Sequence, residues 1–159
     1  FNFEHITEQV HTYAAALGGF TKGFTPLEMA KGYSSFIDGY YLEPSTIRSL
    51  KTLNGEVLYQ RPVDSIEVWN ERTVSTMRQL LHSTVVNGTA QGLTYSTNYT
   101  GAKTGTTDYY KDLWIAGLND RYTAAVWLGN DDNKSIESYS SAKLHHRSLS
   151  YLLNPYYGH

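Results

Sequence analysis

The chain has 159 residues and a formal net charge of −2, with 40% apolar and 18% charged residues and no cysteine. This balance belongs to a chain that folds around a core rather than a disordered one. No basic stripe for nucleic acid is present, and no apolar run is long enough to span a membrane. The missing cysteines exclude disulfides, thiolate catalysis and thiolate-bound zinc.

Taken in chain order, residues 4 to 17 carry a helical pattern that Gly18-Gly19 would stop. At Thr25–Glu28 the run T-P-L-E predicts a helix start. Thr25 caps it, Pro26 suits its first turn, and Glu28 completes a capping box. Leu27, Ala30, Tyr33 and Ile37 then share one helical face, and Gly39 ends the run. Ile47 to Leu53 and Glu56 to Arg61 are strand-like, with Asn54-Gly55 as a two-residue hairpin turn. A long helix follows Asn70, with Val74, Met77, Leu81 and Val85 as its buried stripe and Asn87-Gly88 closing it.

Thr100 to Thr107, T-G-A-K-T-G-T-T, comes next in a β-favouring context. Leu113 to Leu118 is apolar on both alternating faces, as suits a central strand covered on both sides. Tyr122 to Leu128 is similar, and Asn119-Asp120 predicts a tight antiparallel turn between the two. Ser140 to Leu153 reads as a last helix, with Leu144, Leu149, Leu152 and Leu153 as candidate buried positions. Asn154-Pro155 ends it. The fold class is α+β, an antiparallel sheet flanked by helices.

The six histidines show no metal-binding spacing, so no metal or cofactor is expected. Adjacent His145 and His146 are expected to be solvated or half-buried helix residues. The fourteen tyrosines suit strand and core packing.

T-G-A-K-T-G-T-T is compatible with more than one chemistry. A phosphate loop needs Gly-Lys-Thr/Ser running into a helix, whereas the order here is Lys-Thr-Gly among strand residues. Ser140-Ser-Ala-Lys143 has the Ser-x-x-Lys spacing that sets a base one helical turn from a nucleophile, and Ser96-Thr-Asn98 matches Ser-x-Asn. Serine hydrolases of this type carry the order Ser-x-x-Lys, Ser-x-Asn, Lys-Thr-Gly. Both matches here stand in the wrong order and read as chance. On an edge strand, Lys103 supplies a charge for a carboxylate, and Thr104 and Thr106 supply hydroxyls. Gly105 permits close approach of an added peptide strand, and the Thr106 amide can face an oxyanion. That is half a site for acyl transfer, without its nucleophile.

Six ordered blocks resemble a known family. They are A-L-G-G-F-T-K-G-F-T-P-L-E-M-A-K-G-Y-S-S-F (Ala16–Phe36), L-N-G-E-V-L-Y (Leu53–Tyr59), V-V-N-G-T-A (Val85–Ala90), G-A-K-T-G-T-T-D (Gly101–Asp108), D-L-W-I-A-G-L (Asp112–Leu118) and A-A-V-W-L-G-N-D-D (Ala124–Asp132). Together they resemble the C-terminal part of the transpeptidase domain of penicillin-binding proteins, most closely the bifunctional class A group. The resemblance covers about residues 14 to 153. It implies part of the serine β-lactamase/D,D-transpeptidase fold, with residues 1–159 as the C-terminal part of that domain.

It also implies a reaction. A serine attacks the penultimate D-alanine carbonyl of a peptidoglycan stem peptide, the terminal D-alanine leaves, and a neighbouring amine takes the acyl group. β-Lactams acylate the same serine. By the motif, Lys103 helps hold the substrate carboxylate, Thr104 and Thr106 hydrogen-bond it, Gly105 lets substrate lie on the strand, and the Thr106 amide is one of two oxyanion donors. Catalytic roles thus fall to Lys103 and Thr106, and substrate binding to Thr104, Gly105 and Thr106. Gly88-Thr89-Ala90 is assigned a structural role at the site rim, and Tyr109 and Tyr110 are either a lip over the cleft or ordinary loop aromatics.

The family's first two motifs lie upstream of Ala16 and are absent. With Phe1 in place of a starting Met, the chain reads as an excised or nicked piece. The expected partner is an upstream fragment of the same gene product carrying Ser-x-x-Lys and Ser-x-Asn. The expected ligands are stem peptide and β-lactams. The implied location is the extracytoplasmic face of a bacterial membrane, with the anchor on an N-terminal segment outside this chain. The rival reading is a non-catalytic penicillin-recognising sensor or a degenerate homologue of the same fold.

Overall fold

The computed structural model describes residues 13–20, 22–93 and 98–154. Two short elements open it, helix α1 (Tyr13–Ala16) and, after a loop, helix α2 (Pro26–Asp38). Residues 4–12 of the predicted first helix, together with Ser96 and Thr97, lie outside the described residues.

Helix α2 begins as its capping box dictates. The Thr25 hydroxyl accepts from the Glu28 amide at 3.2 Å, and the Glu28 carboxylate accepts from the Thr25 amide at 2.8 Å. Gly39 ends the helix in the left-handed region, at φ 94°. A side chain there would strike the Trp69 carbonyl. The buried positions differ from the predicted apolar face. Leu27 is exposed, whereas Lys31 and Ser35 are buried. Both polar groups are satisfied. Lys31 Nζ reaches Glu43 at 2.9 Å, and Ser35 Oγ accepts from Trp69 Nε1 at 2.9 Å. Helical periodicity identified the helix but not which stripe the tertiary contacts would cover.

The segment after α2 forms two small ribbons. Strand β1 (Tyr40–Tyr41) pairs with β4 (Ile66–Glu67), and between them β2 (Ser49–Lys51) pairs with β3 (Val57–Gln60). The β2–β3 hairpin is shorter than predicted, and its turn sits one residue earlier. Gly55 N donates to Thr52 O at 3.0 Å, which places Leu53 and Asn54 at the centre, with Gly55 following at φ 88°. Asn54 keeps a negative φ, so Gly55 serves as the left-handed residue after the turn rather than as half of a two-residue loop.

Helix α3 (Glu71–Asn87) is capped by Asn70, whose side chain accepts from the Thr73 amide at 2.9 Å. Val74, Leu81 and Val85 of its predicted stripe are buried, and Met77 is half-buried. Its end depends on close approach rather than on a left-handed residue. A Cβ on Gly88 would lie 2.8 Å from Thr84 Cα and 2.9 Å from Thr84 O. Both are backbone atoms that cannot swing aside. Gly88→Ala is therefore expected to destabilise the protein by about 2 kcal/mol, the range of core overpacking. Urea denaturation checks this, with an unchanged midpoint as the contrary result.

The main sheet has the order β5-β6-β7, with β5 (Gly101–Thr106), β6 (Asp112–Leu118) and β7 (Thr123–Gly129) antiparallel throughout. Strand β6 is central and mostly buried, as its two apolar faces require. The predicted Asn119-Asp120 turn is a four-residue loop, Asn119 to Tyr122. Buried Asn119 organises it. Its Oδ1 accepts from the amides of Arg121 and Tyr122, each at 2.8 Å, and its Nδ2 donates to Leu153 O at 3.1 Å.

Helix α2 covers one face of the sheet, where Thr123 Oγ1 donates to Ala30 O at 3.0 Å. The other face meets the C-terminal helices. The predicted single helix from Ser140 is two helices, α4 (Glu137–Ser141) and α5 (Leu144–Leu153), separated at Lys143, which adopts φ 50°. The Ser140-x-x-Lys143 spacing therefore does not lie on one helix: Ser140 belongs to α4, and Lys143 follows in a turn that its amide closes on Ser140 O at 2.9 Å. Leu149 and Leu153 enter a core cluster with Val85, Ala90, Leu93, Ala102 and Ile115, whereas Leu152 is exposed.

His145 and His146 are both buried, where solvated or half-buried positions were expected, and their rings meet edge to face with centroids 4.4 Å apart. Burial lowers both pKa values. That of His146 falls from 6.5 to about 4, burial being the main cause, with smaller contributions from the charges of His145 and Lys143. The unfolded chain binds these protons first on acidification, so stability is fully present above about pH 6.5 and is lost as the pH falls from there toward 4. Melting temperature should drop across that window, and His146→Gln should flatten the drop. An equally steep profile in the variant would assign the acid sensitivity elsewhere.

Candidate active site

Strand β5 is an edge strand among the described residues, paired on one side only, with β6. Its register against β6 is constant from Gly101↔Leu118 to Thr106↔Leu113. In an antiparallel ladder, opposed residues alternate between pairs that exchange both backbone bonds and pairs that exchange none. Thr107 N donates to Asp112 O at 3.2 Å, which sets the parity. Gly101, Lys103 and Gly105 turn their backbone groups to β6. Ala102, Thr104 and Thr106 turn theirs to the open edge.

Three side-chain contacts agree with this parity. His82 Nδ1 lies 2.8 Å from Thr100 O, the Thr84 hydroxyl donates to Ala102 O, and Lys103 Nζ donates to Thr104 O at 2.6 Å. Helix α3 thus closes the first half of the edge with His82 and Thr84. Lys103 curls its ammonium round to the same side. The Thr106 amide is left facing outward, and no described residue accepts from it.

Side chains follow the same alternation. Thr104 and Thr106 share the face of core residue Ala102, two residues apart. The Thr104 hydroxyl lies 2.5 Å from that of Thr89. Gly105 lies opposite Trp114, and a Cβ there would stand 3.3 Å from Trp114 Cβ. The structure therefore brings Lys103, Thr104, Gly105 and Thr106 together on one accessible edge, with a cation, two hydroxyls and an outward amide. An anion fits this set better than any other ligand class.

The rim beyond β5 is tightly held. Thr107 Oγ1 donates to Asp112 Oδ2 at 3.0 Å and accepts from the Asp112 amide at 2.8 Å, while Trp127 Nε1 donates to Asp112 Oδ1 at 2.9 Å. Between these anchors, Tyr109 and Tyr110 adopt φ values of 61° and 53°. Consecutive left-handed aromatics each cost on the order of 1–3 kcal/mol and cluster at functional rims. Tyr109 is 81% exposed, so it projects from the rim rather than packing in a core.

Two clefts lie elsewhere, one along α3 past Arg78, His82 and Tyr99, the other beside Lys143, His146 and Arg147, and neither is lined by Lys103–Thr106. The candidate site is an open wall rather than a closed pocket. Among the described residues no group of three or more His, Asp or Glu side chains is arranged for a metal, and no helix is long and apolar enough to cross a membrane. Thr84, His82 and Asp112 support the strand with no sequence signal for that role, whereas Thr89 lies in the Gly88-Thr89-Ala90 block expected at the site rim with a structural role. Their contacts with β5 and its rim lie 5 to 18 residues away along the chain.

A three-stranded antiparallel sheet between helical layers carries Lys-Thr-Gly on its open edge strand. The chain belongs to the penicillin-binding protein transpeptidase family. Residues 8–146 match the penicillin binding protein transpeptidase domain.

The chain is 37% identical over 138 residues to penicillin-binding protein 4 of Bacillus subtilis, covering 86% of this chain and 22% of that protein. It is 32% identical over 130 residues to penicillin-binding protein 1A of Aquifex aeolicus, covering 81% of this chain and 18% of that protein. The chain thus spans about a fifth of the length of these relatives.

Among solved structures, the D,D-transpeptidase domain of the peptidoglycan glycosyltransferase from Eggerthella lenta superposes with a TM-score of 0.61 at 22% identity, covering 79% of this chain and 31% of that one. Penicillin-binding protein 1A from Haemophilus influenzae gives 0.58 at 21% identity, covering 69% and 22%. The described elements form part of the serine β-lactamase/D,D-transpeptidase fold.

Proposed function

We propose that this chain forms one wall of a serine D,D-transpeptidase site that cross-links peptidoglycan and is acylated by β-lactams. The observation that carries this reading is the open end of β5, where the Lys103 ammonium, two threonine hydroxyls and the outward Thr106 amide converge. A stem peptide ending in D-Ala-D-Ala docks antiparallel to β5, its terminal carboxylate held by Lys103, Thr104 and Thr106. A serine from a preceding segment attacks the penultimate carbonyl carbon. The oxyanion forms against the Thr106 amide and a second amide beside the serine. The C–N bond then breaks, the terminal D-alanine leaves with a proton, and the acyl ester passes to an amine of a neighbouring stem.

The nucleophile, with Ser-x-x-Lys and Ser-x-Asn, belongs on an upstream segment of the same protein, and residues 1–159 form the C-terminal part of the domain. Large apolar side chains left exposed on the β2–β3 hairpin and on α3, among them Leu50, Leu58, Leu80 and Val86, support an intimate neighbour there. This substrate places the site on the outer face of the bacterial membrane, with any anchor on an N-terminal segment outside this chain.

A penicillin-recognising sensor of the same fold is the second reading, since the same accessible strand would hold a penicillin carboxylate whether or not peptide is turned over. A transpeptidase assay of the complete protein on D-Ala-D-Ala stem peptides separates the two. Release of D-alanine with formation of cross-linked product is expected. Acylation by penicillin with no turnover of peptide would establish the sensor instead.

A further inference from the structure

We infer that Thr89 is a positioning residue for the carboxylate grip, donating its hydroxyl proton to Thr104 Oγ1 so that the Thr104 proton stays available to the ligand. This rests on the carboxylate reading of Lys103–Thr106. The two hydroxyl oxygens are 2.5 Å apart, and either has the geometry to donate. A hydroxyl holds one proton and two acceptor lone pairs. A Thr104 that donates to Thr89 turns only lone pairs toward a carboxylate and repels it. A Thr104 that accepts from Thr89 is free to donate outward. The chain from Thr89 through Thr104 to the carboxylate then runs in one direction, and each bond polarises the next. The arriving anion selects this orientation.

The placement of Thr89 is built in by its neighbours. Gly88 N and Ala90 N both donate to Thr84 O, at 3.0 and 3.1 Å. Ala90 is fully buried in the core cluster, and Gly88 sits too close to Thr84 for any side chain. Residues on both sides of Thr89 are therefore fixed, and its side chain is held over β5. Thr84, which anchors this turn, also donates to Ala102 O of the same strand. Thr89 itself is exposed, contributes nothing to the core, and turns its hydroxyl to Thr104. The strand does not need that bond to keep its place, because the β6 ladder already holds it. The contact is informative at the hydroxyl, where the ligand binds.

The test uses the complete protein and two probes, a penicillin with its free carboxylate and the methyl ester of the same penicillin. Second-order acylation rate constants are measured for wild type, Thr89→Val, Thr89→Ala and Thr89→Ser. Both Thr89→Val and Thr89→Ala should lower the rate for the free acid about fivefold, the worth of one hydrogen bond. They should leave the ester rate unchanged, and Thr89→Ser should restore the free-acid rate. Equal loss for acid and ester, or no loss in either variant, overturns the inference alone. A wild-type protein that acylates with no preference for acid over ester overturns the carboxylate reading and this inference with it.

Discussion

Gly105→Val is expected to reduce penicillin acylation of the complete protein by at least about a hundredfold, the scale set by displacing reacting groups by an ångström. Gly105 lies opposite Trp114 in the β5–β6 ladder, and even a bare Cβ would stand 3.3 Å from Trp114 Cβ. Trp114 has little freedom to retreat. Its ring lies 6.4 Å, centroid to centroid, from that of Trp127, and Trp127 is tied to Asp112 at 2.9 Å. The added methyls therefore crowd the strand where a substrate must lie flat, and β5 adjusts by shifting the Thr106 amide. The cost to folding should stay within the 1–3 kcal/mol or so of overpacking. A folded variant that has lost acylation is the expected result. Unchanged acylation with bulk at Gly105 would end the edge-docking account.

Lys103→Met is expected to slow acylation by carboxylate-bearing penicillin by about ten- to a hundredfold, the worth of a charge-assisted hydrogen bond. Lys103 forms no ion pair among the described residues, and its Nζ rests 2.6 Å from Thr104 O on the open edge. The charge is thus available to a ligand without first breaking an internal pair. Methionine keeps the length and apolar stem and removes only the charge. Because the site is exposed, the wild-type rate should fall with added salt, and the variant should lose most of that dependence. A variant with the wild-type rate and the wild-type salt response would exclude Lys103 from ligand binding.

The parts of this fold that local chemistry dictates were legible in the sequence. The capping box at Thr25–Glu28 and the buried stripe of α3 follow from helical spacing, and the central place of β6 follows from its two apolar faces. The misses have tertiary causes. The hairpin turn slipped by one residue because Gly55 takes the left-handed position after the turn. The last helix broke at Lys143, and His145 and His146, expected to be solvated or half-buried, are buried beyond that break. At the candidate site, Lys-Thr-Gly was readable as a motif, but its outward groups were not. Which amides face the edge is a question of ladder parity, settled by one bond between Thr107 and Asp112. Gly88-Thr89-Ala90 was legible as a block at the site rim, but the contact between Thr89 and Thr104 joins residues 15 apart, and local pattern does not give that partner.

The proposed site is divided between this chain and a preceding serine. Labelling with a fluorescent penicillin, followed by a denaturing gel and mass spectrometry of the labelled peptide, tests that division directly. The complete protein should carry a covalent label on a serine of a Ser-x-x-Lys motif upstream of residue 1, and this chain alone should carry none. A covalent label on this chain, at Ser140 for example, would contradict it.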